Sequence, residues 1–370
     1  MRFCMATTFY PPWSFGGDAI QVRRLTHALA DRGHEVTVVH SREGYVSMAG
    51  GPPDGPEDDH PGVRVVGIDA GVGTASPLAT YLSGRPVFAG RQLASALDGD
   101  YDVIHFHNPS LLGGPEALAL GSTRLKLYTA HEQWLLCPTH VLWKYQSRVC
   151  EKPDCVRCTL TYRRPPQPWR SSSLLERSVA HLDALICPSR TSQRLHERFA
   201  GLVRLERLGH FIPDPTVTEP STNADRPYFL YAGRLESVKG VESLLRVFAR
   251  RRSEDLLIAG EGTLEARLRD QAAGLDHVRF LGWQAPEQLD SLYRGALAVL
   301  VPSAGHESFG LVALEAMARG VPVIARAQPG AEVRLSGDPV QRRGRIAYEA
   351  RYTEERHVDA YLGLVEELAA

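Results

Sequence analysis

Between Pro302 and Gly320 the chain carries two carboxylates, Glu307 and Glu315, with seven residues between them and Phe309-Gly310-Leu311 in the interval. The residue types read as a loop that leaves a strand end and enters a helix near Gly310-Leu311. At a helix start the unpaired backbone N–H groups and the positive end of the dipole favour a phosphate or a sugar oxygen. Glu307 falls before that start and Glu315 about a turn inside it, so one carboxylate can meet a sugar and the other a ribose. Two glutamates at this spacing also arise by chance, but the enclosing His306-Glu307-Ser308-Phe309-Gly310 narrows that reading. Upstream, Gly233-Arg234 and Lys239-Gly240 follow the apolar run Tyr228–Ala232. The chain has lysine only at 126, 144, 152 and 239, which makes each one informative. Ile258-Ala259-Gly260-Glu261-Gly262 is a strand followed by G-x-G, which lets the backbone pass close to a ligand. In the first half, Gly16-Gly17 precedes a helix and can admit a diphosphate or sugar close to the chain, a plain tight turn being the alternative.

Residues 302–320 resemble the donor site of glycosyltransferase family 4, retaining enzymes of the GT-B fold. Gly233–Gly240 is similar to that family's G-R-x4-K-G signature. The resemblance implies that Glu307 lies by the donor sugar, that the backbone of Phe309, Gly310 and Leu311 supports it, and that Glu315 holds the ribose hydroxyls. Departure of a nucleoside diphosphate concentrates negative charge on the β-phosphate oxygens, and preplaced Arg234 and Lys239 stabilise that charge without a metal. Gly233, Gly260 and Gly262 fit the family's spacing. So does Val278–Trp283, whose backbone in relatives approaches the base; Trp283 reads equally as a core aromatic. His131 falls on the family's Thr-x-His motif, which implies a contact to the donor sugar. It need not be a base, because a front-face path lets the leaving phosphate take the acceptor proton. His105 and His107 end another strand and read as pointing into the same cleft.

Cys137, Cys150, Cys155 and Cys158 crowd into one Pro-rich stretch as C-x12-C-x4-C-x2-C. That spacing suggests a structural four-thiolate zinc site that pins a loop, with disulfides or buried thiols as the alternatives. No cofactor is expected for catalysis itself.

The elements that must position these residues are short apolar runs alternating with amphipathic helices. Arg2–Thr7, Asp18–Arg32 and Glu35–His40 form a strand-helix-strand unit, and the same grammar recurs at 103–107, 125–130, 184–188 and 203–208. Between Gly209 and Arg226 periodicity is lost in a Pro-, Thr- and Ser-rich linker. A second series follows at 228–232, 255–259, 278–281, 298–301 and 323–325. The expectation is α/β: two doubly wound Rossmann-like domains facing a central cleft, 1–210 on the acceptor side, carrying the cysteine-rich insert 137–158, and 225–350 binding the nucleotide sugar. After Val333 the family's next strand and helix are missing, so the second domain is expected to be shortened. The helix at 351–370 is expected to return to the first domain, as it does in relatives.

A length of 370 residues suits two domains, and 43% hydrophobic with 23% charged residues is ordinary globular composition. A net charge of -1 provides no field for nucleic acid. No run of 18 apolar residues is present, so no transmembrane segment is expected, and the N-terminus lacks a secretory h-region. The chain therefore reads as cytoplasmic, with peripheral membrane association if the acceptor is lipid-linked. The expected activity is retaining, metal-independent sugar transfer from a UDP- or GDP-sugar to a hydroxyl of a sugar, small-molecule or lipid-linked acceptor. The rivals are a sugar-nucleotide epimerase or phosphorylase of the same plan, and a nucleotide-sugar-binding protein that no longer turns over. A nicotinamide dehydrogenase is disfavoured because no G-x-G-x-x-G follows the first strand.

Overall fold

The structure is a computed structural model that describes residues 1–54, 59–215, 226–326 and 340–370, with the backbone alone at 340–343. Part of the linker at 209–226 and residues 327–339 lie outside the described residues; the expected loss of a helix after Val333 is corrected, since a helix, Val340–Arg351, precedes the last one. The chain divides into two compact units: 1–140 with 154–210 and 355–370, and 141–153 with 211–354.

The first unit is built on seven parallel strands: β1 (Arg2–Thr7), β2 (Glu35–Ser41), β3 (Val63–Ile68), β4 (Val103–Asn108), β5 (Leu125–Thr129), β8 (Ala184–Cys187) and β9 (Arg204–Arg207), in the order 3-2-1-4-5-8-9. β6 (Trp143–Lys144) and β7 (Arg148–Val149) form a separate antiparallel ribbon. Strands β4 and β8 are buried along their whole length and β1 almost so, which is why they read as continuous apolar runs rather than alternating ones. β3 is absent from the sequence reading. It is an edge strand whose Arg64 and Val65 are exposed, so its pattern is too weak to stand out.

The second unit has five parallel strands in the order 12-11-10-13-14: β10 (Tyr228–Ala232), β11 (Asp255–Ala259), β12 (Val278–Gly282), β13 (Ala298–Val301) and β14 (Val323–Ala325). Leu230 and Val299 face one helix layer and Leu256 and Ile258 the other, so the sheet is packed on both sides. In each sheet the strand order reverses at its centre, between β1 and β4 in the first and between β10 and β13 in the second. Ligands of such sheets bind beyond the carboxyl ends of the strands at that switch point.

The helix Glu354–Ala369 packs on the first unit and buries His357, Val358, Tyr361 and Val365. Tyr361 Oη and His105 Nδ1 are hydrogen-bonded at 2.9 Å, and His357 Nδ1 donates to the Gly209 carbonyl at 2.7 Å. Two corrections follow. His105 does not open on a cleft: it is 1% exposed and held between Tyr361 and Thr129 Oγ1. The cysteine-rich insert is not wholly a part of the first unit, since residues 141–153 group with the second. Trp143 explains this, because its buried indole N–H needs an acceptor and finds Ser237 Oγ at 3.0 Å.

Candidate active site

Two loops flank the switch point of the second unit, one after β10 and one after β13, and backbone hydrogen bonds tie them together. The N–H groups of Ala304 and Gly305 donate to the Val238 carbonyl at 2.7 and 3.1 Å. Gly240 makes this approach feasible. Its φ of +70° suits glycine, and a Cβ there would stand 2.4 Å from the Pro302 carbonyl oxygen. The consequence is chemical: Lys239 Nζ lies 2.6 Å from Glu307 Oε1, although 68 residues separate them.

Ser303 Oγ donates to the same carboxylate oxygen. Burial alone would push the Glu307 carboxyl up, but Lys239, Ser303 and the nearby Arg234 hold it below the usual carboxylate range. Glu307 is therefore an anion at neutral pH beside a fixed cation, and the pair is ready to face a substrate whose own charge changes during reaction. Burial, with the Glu307 charge next to it, also raises Tyr231, whose hydroxyl donates to the Arg234 carbonyl at 2.7 Å and fixes the start of that loop.

The G-x-G after β11 completes the floor. A Cβ at Gly260 would lie 2.1 Å from the Gly233 carbonyl oxygen and one at Gly262 2.6 Å from the Leu235 backbone, so the loops after β10 and β11 touch main chain to main chain. Leu235 N–H donates to the Glu261 carbonyl at 2.8 Å.

After β13, Gly310 caps the helix Leu311–Ala318 in the left-handed conformation. Glu315 lies in the second turn and accepts from Tyr293 Oη at 2.8 Å. The Phe309 ring is buried among Ile212, Leu314, Met317 and Tyr348, so only its backbone is available to a ligand. Trp283 is no core aromatic: it is 69% exposed, and its backbone N–H donates to Glu261 Oε1 at 3.2 Å.

In the first unit, Gly16 caps the helix Gly17–Asp31 in an extended conformation that any residue can adopt. His107 and Asn108 end β4, and His131 and Glu132 follow β5. Two rungs join them: His107 Nδ1 to His131 Nε2 at 2.8 Å, and Asn108 Nδ2 donating to Glu132 Oε1 at 2.7 Å. His140 Nδ1 holds that carboxylate oxygen at 2.6 Å as well. The His131 ring stacks on His210 with centroids 4.9 Å apart. Because His107 engages Nε2, the nitrogen His131 has left is Nδ1, which is buried without a partner, as is His107 Nε2. Burial first, then the neighbouring imidazoles, keeps both rings neutral well below the ordinary histidine pKa. Burial, with the charge of Glu132, raises Asp18 above the usual carboxylate range.

The sequence reading missed Ser303, Tyr293, Asp18, Asn108 and Glu132 as functional groups. Asn108 and Glu132 each directly follow a histidine already named, and Ser303 lies within 302–320. Tyr293 sits inside an ordinary amphipathic helix and gives no signal.

Cys137, Cys150, Cys155 and Cys158 form no disulfide; two are buried, one is intermediate and one is exposed. Among the described residues no group of three or more His, Cys, Asp or Glu is placed to hold a metal ion. Cys150 belongs to a different compact unit from the other three.

With this geometry in place, the comparisons with known proteins fit. The family described as Glycosyltransferase Family 4 matches residues 15–208, and Glycosyl transferases group 1 matches 217–335. An uncharacterized glycosyltransferase of Methanocaldococcus jannaschii is 40% identical over 112 residues; the match spans 29% of this chain and only 28% of that protein's length. The D-inositol 3-phosphate glycosyltransferase of Xylanimonas cellulosilytica is 28% identical over 349 residues, 85% of this chain and 76% of that one. In fold, sucrose-phosphate synthase from Thermosynechococcus elongatus superimposes with a TM-score of 0.74 over 99% of this chain and 98% of its own, at 21% identity. The chain belongs to glycosyltransferase family 4 and has the GT-B fold of two Rossmann-like domains.

Proposed function

We propose that this glycosyltransferase moves a sugar from a nucleotide-diphosphate donor to an acceptor hydroxyl, retains the anomeric configuration, and needs no metal for the chemistry. The observation that carries this is the Lys239–Glu307 pair, with Ser303 and Arg234, at the switch point of the second unit. When the sugar–phosphate bond breaks, charge grows on the departing diphosphate and the sugar becomes cationic. Arg234 and Lys239 stabilise the first, and the Glu307 carboxylate the second. The N–H groups at Gly310 and Leu311 lie at a helix start and suit donor oxygens, and Glu315, oriented by Tyr293, takes the ribose hydroxyls. Gly233, Gly260 and Gly262 let the loops after β10 and β11 pack main chain to main chain as a floor for the nucleotide, and the exposed Trp283 offers its backbone, and a ring face, to the base. In the first unit, the family resemblance makes Gly16 and Gly17, at a helix start, and His131, whose Nδ1 has no hydrogen-bond partner, donor contacts.

Turnover is read as release of nucleoside diphosphate from a panel of UDP- and GDP-sugars, with product stereochemistry assigned by NMR. Arg234→Ala should lower kcat by about 10²- to 10³-fold, the scale of losing one preorganised donor. Near-native turnover in that variant, or an inverted product, would overturn the mechanism.

A further inference from the structure

The helix Ala75–Ser83 is inside out. Its buried residues are Ser76, Pro77 and Thr80, while Leu78 is 51% and Leu82 37% exposed. Ala75, Leu78, Ala79 and Leu82 follow the i, i+3, i+4, i+7 spacing of one helix face, and all four are apolar. A surface helix ordinarily buries such a stripe. The turn that follows exposes two more apolar side chains, Val87 at 57% and Phe88 at 51%, with Arg85 and Arg91 on either side in sequence. From residue 70 to residue 97 the chain contains no Asp or Glu. Tyr81 Oη donates to the Pro165 carbonyl at 2.9 Å and Trp169 Nε1 to the Tyr81 carbonyl at 2.9 Å, so the segment bearing Arg163 and Arg164 runs alongside. One carboxylate, Glu116, approaches Arg85, at 3.5 Å.

We infer that this face docks on the interface of a bilayer containing anionic lipid. Aliphatic and aromatic tips interleaved with arginines match the acyl–headgroup boundary, where apolar side chains sink a short way and long cationic ones reach phosphate. The helix has nine residues and is about 13 Å long, so it lies in the plane of the interface and cannot cross the hydrocarbon. A second copy of the chain is a poorer occupant. A stable protein interface uses roughly 20–30 residues a side, many more than this stripe supplies, and two such faces would set arginine against arginine. The inference stands on exposure and charge, independently of the sugar-transfer reading.

The test is co-sedimentation of the full chain with vesicles of phosphatidylcholine mixed with phosphatidylglycerol, against phosphatidylcholine alone. Binding is expected to the anionic vesicles and to weaken with salt. Arg85→Gln and Arg91→Gln should each weaken it roughly fivefold, and Val87→Ser with Phe88→Ser by at least about tenfold. Val247→Ser, equally exposed but in the second unit, should bind as the parent does. All the substitutions are at exposed positions, and an unchanged thermal midpoint verifies folding. Failure of the parent to bind anionic vesicles, or equal binding by all variants, overturns the inference. So does a dimer in light scattering that Phe88→Ser dissociates.

Discussion

At the scale of single residues, the second unit makes one carboxylate unusually acidic and the first makes imidazoles unusually reluctant to charge. Glu307→Gln keeps the shape and removes the anion, leaving Lys239 unpaired. The expected outcome is a loss of about 10²-fold or more in kcat with KM little changed, because the charge matters most when the sugar becomes cationic. Since Lys239 lowers the Glu307 pKa, any acid limb due to this carboxylate lies below the usual range, and Lys239→Met should move it upward. A pH–rate profile of the two proteins decides this. His107 is a positioning residue for His131. Asn can imitate the Nδ1 position of His107 and Leu cannot, so His107→Asn should retain most activity while His107→Leu loses it through KM for the donor. Equal loss in both would mean that the pair is only packing.

Among elements, the loop after β10 depends on glycine in two separable ways. Gly240 and Gly33 both have φ near the left-handed region, +70° and +80°, but only Gly240 has a neighbour where a Cβ would go. Gly33→Ala should therefore cost about 1–2 kcal/mol from backbone strain alone. Gly240→Ala should cost more and also lower kcat, because Pro302 must retreat and carry Glu307 away from Lys239. Urea midpoints and nucleoside diphosphate release, measured on both, separate the two contributions. The helix Glu354–Ala369 is secured from within by Tyr361. Tyr361→Phe leaves His105 Nδ1 short of a partner and should cost about 1–3 kcal/mol. Earlier proteolytic release of the C-terminus would be its sign.

On the scale of the molecule, the eight described histidines with depressed pKa values, at 34, 40, 105, 107, 131, 196, 210 and 357, all belong to the first unit. Burial is the leading cause in each, and His40, His196 and His357 fall to about 4. Between those values and 6.5 the unfolded chain binds more protons than the native one. Stability is thus full above about 6.5 and is lost as pH falls, each imidazole withdrawing up to ~1.4 kcal/mol per pH unit. Asp18, raised by burial, works in the opposite direction but is a single group. Against a typical total of about 5–15 kcal/mol, several such groups suffice to unfold a domain. Hydrogen exchange on acidification from pH 7 should show the first unit opening before the second. Simultaneous opening would count against the buried imidazoles as the cause.

The sequence by itself determined the alternation of strands and helices, the two-fold repetition of that plan, and the donor motifs, because these are local. A buried parallel strand reads as an apolar run, and Gly-Arg-x4-Lys-Gly and Glu-x7-Glu each lie in one loop. It also determined that the last helix carries a stripe in need of a partner, with Val358, Tyr361 and Val365 in it. Only the tertiary structure decided what lies between distant segments. Lys239 meets Glu307 because parallel strands β10 and β13 are neighbours across a switch point, which no spacing within either motif encodes. His105 and His107 lie on one face of β4 with their rings 4.0 Å apart, and only their places along it set His105 against Tyr361 and His107 against His131. The cysteines read as one insert because they are close along the chain, but the segment 141–153, with its Trp143 indole bonded to Ser237, groups with the second unit. Proximity in sequence is a property of covalent bonds, whereas a binding site needs side chains placed by hydrogen bonds and packing between segments far apart on the chain.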